Sequence, residues 1–334
     1  MFRRLRFLAC LISLAAAPAA VAEPCALSAD NRAFLEEALG AWERAHDQLL
    51  RVESHDFPWS VVFDTRCTWH LGYDPERLTG AQPVDWTFTV GGRPVRVVAV
   101  PHGDTVALPN GQSIPARGVA FTSLYDYETK PFFVMALLDV WKQQPAAARH
   151  PDLRHIILGV VSHEMAHTLQ LPAVARRIHE LEKRLDLPDN VNDDIVEEHF
   201  SGDRQYSETF DREVDTFYDA FRADDPEERL ALVRRGLAMA RARQAKYFVG
   251  EDGMYAQLEG LFLNMEGVGT LVSYKLGYST ETGRDLKRAR NSWSQDEGLA
   301  LMLLVSELVP NWRKAVLKDL ASPFDLLEQS IGRS

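Results

Sequence analysis

No stretch constrains the fold as tightly as Ile156-Ile157-Leu158-Gly159-Val160-Val161-Ser162-His163-Glu164-Met165-Ala166-His167-Thr168-Leu169-Gln170. Its apolar residues recur at helical spacing, so it reads as a buried helix. On such a helix His163 and His167, four residues apart, project from one face about a turn from each other, with Glu164 beside them. Burying two imidazoles and a carboxylate without partners is costly, and a shared cation offsets that cost. His-Glu-x-x-His is the spacing with which one helix holds a zinc ion and places a carboxylate to act as general base. Zinc is therefore the expected cofactor, His163 and His167 its ligands, and Glu164 the catalytic carboxylate.

Two histidines leave a tetrahedral catalytic site short of a third protein ligand. No histidine follows at the spacing of an extended His-x-x-Gly-x-x-His form, because position 173 is Ala173. A carboxylate from a later helix is expected, and two places qualify. Glu266 lies among Gly260, Gly267 and Gly269, each costing a helix about 1 kcal/mol relative to alanine, which suits close approach by the metal helix. Glu259, Glu266, Thr270 and Tyr274 also fall roughly along one face there. Glu213 borders the apolar stripe Phe210, Val214, Phe217, Phe221, so it too can be a partly buried ligand or a supporting acid.

The chain begins with basic residues, Arg3, Arg4 and Arg6, then an apolar or small run from Phe7 to Ala17 and the small-x-small site Ala20-Val21-Ala22. Residues 1–22 are expected to be a secretory signal peptide, and the mature protein periplasmic or secreted. No later run is long enough to span a bilayer. Losing the three arginines takes the net charge from −11 to about −14, a balance that repels phosphate backbones and argues against nucleic acid as a partner. Cys25 and Cys67 then remain, and an oxidising compartment favours a disulfide between the mature N-terminus and the first strand region.

Helical spacing of Leu27, Phe34, Leu35, Ala38, Leu39, Trp42, Ala45 and Leu49 predicts a helix over 28–52. Short β-rich pieces at 60–63, 86–90 and 94–100, punctuated by glycine and proline, predict a small, mostly antiparallel sheet within 58–125. Residues 132–144 read as a helix ended by Pro145. Asp152 opens the metal helix and Pro172 closes it. Beyond it lie helices at 173–187, 193–200, 207–222, 226–248, 254–276, 295–309 and 312–320. The fold class is α+β and predominantly helical. It comprises an N-terminal helix with a β-rich subdomain (23–150) and a helical zinc-binding catalytic subdomain (151–334).

His163-Glu164-x-x-His167 followed by Asn264-x-Glu266-Gly267-x-Gly269 resembles the gluzincin metallopeptidases, in particular exported bacterial zinc peptidases with a long helical insertion between the two motifs. The resemblance implies a zincin-like fold with Glu266 as third ligand. It also implies an exported zinc-dependent hydrolase that cleaves peptide bonds of a peptide or protein substrate, using a zinc-activated water and Glu164 as base. Tyr274 is the candidate donor to the oxyanion, with Tyr206 and Tyr278 as alternatives, and Arg241 and Arg243 are candidates for a substrate carboxylate, Arg241 the preferred one. The competing function is a non-catalytic zinc-containing binding or scaffold protein that keeps the same fold.

Overall fold

The computed structural model describes residues 25–332 except 53–56, 85, 127–129, 146, 189, 279–282, 285 and 291; the expected signal peptide at 1–22 lies outside the described residues. Helix α1 (Ala29–Glu43) starts where Ser28 Oγ accepts from the Asn31 N–H at 3.2 Å. A π-helical continuation, Arg44–Leu50, ends at Arg51, whose φ of 52° is left-handed. The helix predicted over 28–52 is thus present, with its last turns widened.

Ten strands follow. They are β1 (Trp59–Phe63), β2 (Cys67–Leu71), β3 (Gln82–Pro83), β4 (Phe88–Val90), β5 (Arg93–Val95), β6 (Val97–Pro101), β7 (Thr105–Ala107), β8 (Ser113–Pro115), β9 (Ala120–Asp126) and β10 (Lys130–Ala136). Six of them form one sheet in the order β3-β6-β2-β1-β10-β9, while β4–β5 and β7–β8 pair separately. Within the large sheet β1 and β10 run parallel and the other pairings are antiparallel. Helix α2 (Leu138–Lys142) closes this half.

The sheet is buried on both faces. Trp59, Val61, Phe63, Phe132, Val134 and Ala136 pack under Val106 and Val140 on one side. On the other, Val62, Trp69, Phe133 and Met135 meet Phe34 and Leu35 of α1 together with Ile157, Val161 and Met165. This double burial explains the error at 132–144. Phe132 to Ala136 is a strand, and its uninterrupted apolar run has no period-two signature because each face meets a core.

The remainder is helical: α3 (Leu153–Glu182), α4 (Ile195–Phe200), α5 (Arg204–Arg222), α6 (Pro226–Tyr247), α7 (Tyr255–Lys275), α8 (Trp293–Leu308), α9 (Trp312–Leu317) and α10 (Pro323–Ile331). Pro172 does not end the metal helix. Helix α3 runs through it and absorbs the segment predicted as a separate helix from 173. An interior proline costs about 3 kcal/mol, and burial of Val174 and Leu181 beyond it offsets that. Helix α3 is the wall shared by both halves, with Ile157, Leu158, Val161 and Met165 on the sheet and Ala166, Val174 and Leu181 in the helical core. Helix α7 is buried on all sides over most of its length, Glu259, Asn264 and Glu266 included, and is flanked by α3 and α8. Cys25 and Cys67 are joined in a disulfide that pins the segment before α1 to the start of β2.

Candidate metal centre

Helix α3 directs His163 and His167 at α7, where Glu266 meets both. The two Nε2 atoms stand 2.9 Å apart, with Glu266 Oε2 3.0 Å from His163 Nε2 and Oε1 3.1 Å from His167 Nε2. All three residues are buried, and among the described residues they are the group arranged to hold a metal ion. Ligand atoms roughly 2.0–2.1 Å from a tetrahedral ion stand about 3.3 Å from one another, within a few tenths of an ångström of these separations.

The electrostatics of the group favour a cation. Burial alone would raise the Glu266 carboxyl, yet His167 and His163 hold it well below the usual carboxylate range. Burial alone would lower His167, but Glu266 beside it outweighs that and pushes it up to about 9. His167 thus holds positive charge as a proton beside the buried carboxylate, and a metal ion satisfies the same need with both Nε2 lone pairs. His167 Nδ1 is buried with no partner among the described residues, and Gln295 Nε2 donates to Glu266 Oε2 at 3.2 Å. The residues present therefore fit a metal ion.

Glu164 lies outside the ligand group and is half-buried. Burial raises its pKa; the two histidines and the Thr122 backbone N–H oppose this, and Glu266 reinforces it. Thr122 Oγ1 also donates to the Glu164 backbone carbonyl, so β9 is tied to the metal helix beside this carboxylate. Asp193, in the turn before α4, completes the electrostatic surroundings. Burial first and Glu266 next push its pKa up to about 6. Sequence reasoning missed Asp193 and Gln295, since neither sits at a spacing that marks it.

The other candidates are placed elsewhere. Glu213 is fully buried but belongs to Arg243, whose Nε and Nη2 donate to its two oxygens at 2.8 Å each. Arg243 also donates to Glu259 Oε1 and the Tyr206 hydroxyl, both at 2.6 Å, so neither Glu259 nor Tyr206 reaches the metal group. Glu297 sits in the same cluster, where burial and then Glu213 push its carboxyl well above the usual range. Tyr274 donates its hydroxyl to the Gly283 carbonyl at 2.9 Å and packs edge-on to Phe221; it is not brought to the cluster. The Tyr278 hydroxyl accepts from Arg44 at 3.0 Å. Arg241 is held by Glu328 and Asp325. Asn264 is structural, accepting from Gln170 at 2.8 Å and donating to the Ala321 carbonyl at 2.7 Å.

The three glycines divide their roles. A Cβ on Gly269 would lie 2.9 Å from the His163 ring, so this glycine admits the ligand imidazole rather than the metal-helix backbone. Gly267 faces the Gly298 carbonyl of α8 at 2.6 Å, and Gly260 faces the Ser322 side chain at 3.1 Å. The close approach expected of the metal helix thus belongs at Gly267 to α8.

No family model, curated protein or solved structure matches the chain. The molecule itself defines the class: an α+β protein, mostly helical, with a buried His163-His167-Glu266 group able to hold a metal ion.

Proposed function

We propose that the protein is an exported zinc-dependent hydrolase of zincin-like fold, a metallopeptidase in which His163, His167 and Glu266 hold zinc and Glu164 is the general base. The observation that carries this reading is a division of labour between two glutamates. Glu266 closes on both imidazoles, while Glu164, one residue from His163, stays outside the ligand group and remains half-buried. A site that only binds metal has no use for the second carboxylate.

Bound zinc supplies Lewis acidity and a nucleophile at neutral pH. Glu164 accepts the proton of the attacking water at a carboxylate oxygen and passes it to the leaving amine, a role its burial-raised pKa suits. Gln295 orients Glu266 through its 3.2 Å hydrogen bond. A peptide substrate is favoured by β9, the half-exposed edge strand of the large sheet, which lies against α3 beside Glu164. An extended peptide can add to that edge through main-chain hydrogen bonds. The Cys25–Cys67 disulfide suits an exported protein.

Metal analysis of the purified protein and hydrolysis of a broad peptide library test the reading. The wild type is expected to carry stoichiometric zinc and cleave peptides; Glu164→Gln should keep the zinc and lose about 10²–10⁴-fold in kcat/KM. Stoichiometric zinc without wild-type hydrolysis would leave a non-catalytic binding protein in its place.

A further inference from the structure

A recess of about 400 Å³ lies where the end of the N-terminal helix, the middle of α3 and α9 meet. Four cationic side chains line it, Arg51, Arg313, Lys314 and Lys318, and no carboxylate does among the described residues. None of the four has an ion pair among the described residues. Elsewhere Arg241, Arg243 and Arg288 are each held by two or more carboxylates.

One of the four, Arg313, is held in place. Arg313 is half-buried, donates from Nε to the Leu49 carbonyl at 2.6 Å and stacks over Trp312 with its guanidinium 4.8 Å from the ring centroid. Arg51 stands close enough that burial and its charge together lower the Arg313 pKa. Holding like charges side by side is unfavourable, and a bound anion reverses the sign.

The walls between the cations are apolar, from Leu50, Leu169 and Leu317. Asn311 lines this recess and also a neighbouring one of about 520 Å³, walled by Leu308, Val309, Ala315 and Leu326. Four cations match a phosphate, near −2, better than a single carboxylate, and a contiguous apolar wall suits a hydrocarbon body. Leu169 is two positions past His167, about 200° around α3, so the recess opens on the side of that helix away from the metal group.

We infer that this recess binds one molecule of a phosphate-headed amphiphile, its headgroup among Arg51, Arg313, Lys314 and Lys318 and its chain along the Leu317–Asn311 wall. The inference is independent of any hydrolytic activity. Calorimetric titration with octyl phosphate below its micellar concentration tests it, beside inorganic phosphate and neutral octyl glucoside. One equivalent of octyl phosphate is expected to bind, at least about tenfold more tightly than inorganic phosphate. Octyl glucoside is not expected to bind. The exposed double variant Lys314→Gln/Lys318→Gln, checked for native circular dichroism, should weaken octyl phosphate at least about tenfold, and Arg51→Gln should do likewise. Equal binding of octyl glucoside, equal affinity for inorganic phosphate, or unchanged affinity in the variants would each overturn the proposal. So would binding to anionic phospholipid vesicles without binding of the monomer, which would make the patch a membrane-facing surface.

Discussion

Gly269 decides whether the metal group can assemble. Its missing Cβ is the space His163 occupies, and an alanine there would press the imidazole at 2.9 Å. Gly269→Ala is expected to weaken metal binding by about 10–100-fold, measured against a competing chelator, with the ring displaced rather than the fold lost. His70 in β2 makes a different residue-scale prediction. It is buried, accepts from Trp59 Nε1 at 3.1 Å, and burial lowers its pKa from 6.5 to about 4. The unfolded chain therefore takes up a proton between those values while the folded one does not, so stability falls as pH falls through this window. The contribution lost between pH 7 and pH 5 is about 2 kcal/mol. Urea unfolding of the wild type and His70→Gln at both pH values checks this, since the variant should lack that part of the pH dependence. In the sequence His70 looks like any loop histidine, because only pairing with β1 and β6 buries it.

At the scale of elements, α7 and α8 cross through facing glycines. A Cβ on Gly267 would meet the Gly298 carbonyl at 2.6 Å and Met302 Cγ at 2.8 Å, while one on Gly260 meets a serine side chain that can turn away. Gly267→Ala should therefore destabilise by about 1–3 kcal/mol in chemical denaturation and Gly260→Ala by clearly less. The sequence marked α7 as unusual through its three glycines, and it left their partners open. Local spacing distinguishes neither an imidazole from a backbone nor α3 from α8. Helix α3 and strand β10 make the same point from the other side. Pro172 and the run Phe132 to Leu138 carry strong local signals, for a helix end and for a helix, and both are overridden by burial that only distant segments supply.

On the scale of the whole molecule, α3 joins two halves, and the Cys25–Cys67 disulfide holds the N-terminal segment to the sheet. Closing a loop of 42 residues limits the unfolded chain, and its loss is expected to cost about 4 kcal/mol. Cys25→Ser/Cys67→Ser should show this as a lower urea midpoint, with metal content unchanged because neither cysteine belongs to the His163-His167-Glu266 group. Expected from two cysteines in a chain read as exported, the pairing needed the sheet to bring Cys67 opposite Cys25.

The sequence by itself determined the α+β class, most of the helices and two of the three residues of the metal group. His163, Glu164 and His167 lie within five residues of one helix, so helical geometry alone fixes how they relate. The tertiary structure decided which glutamate completes it. Glu266 and Glu213 were both acidic residues on partly apolar helices, and what separates them is the cation each one meets. Arg243 on α6 takes Glu213, and the two imidazoles of α3 take Glu266. A buried carboxylate goes to whichever positive group the packing of distant helices presents to it, and that choice is not written at any local spacing.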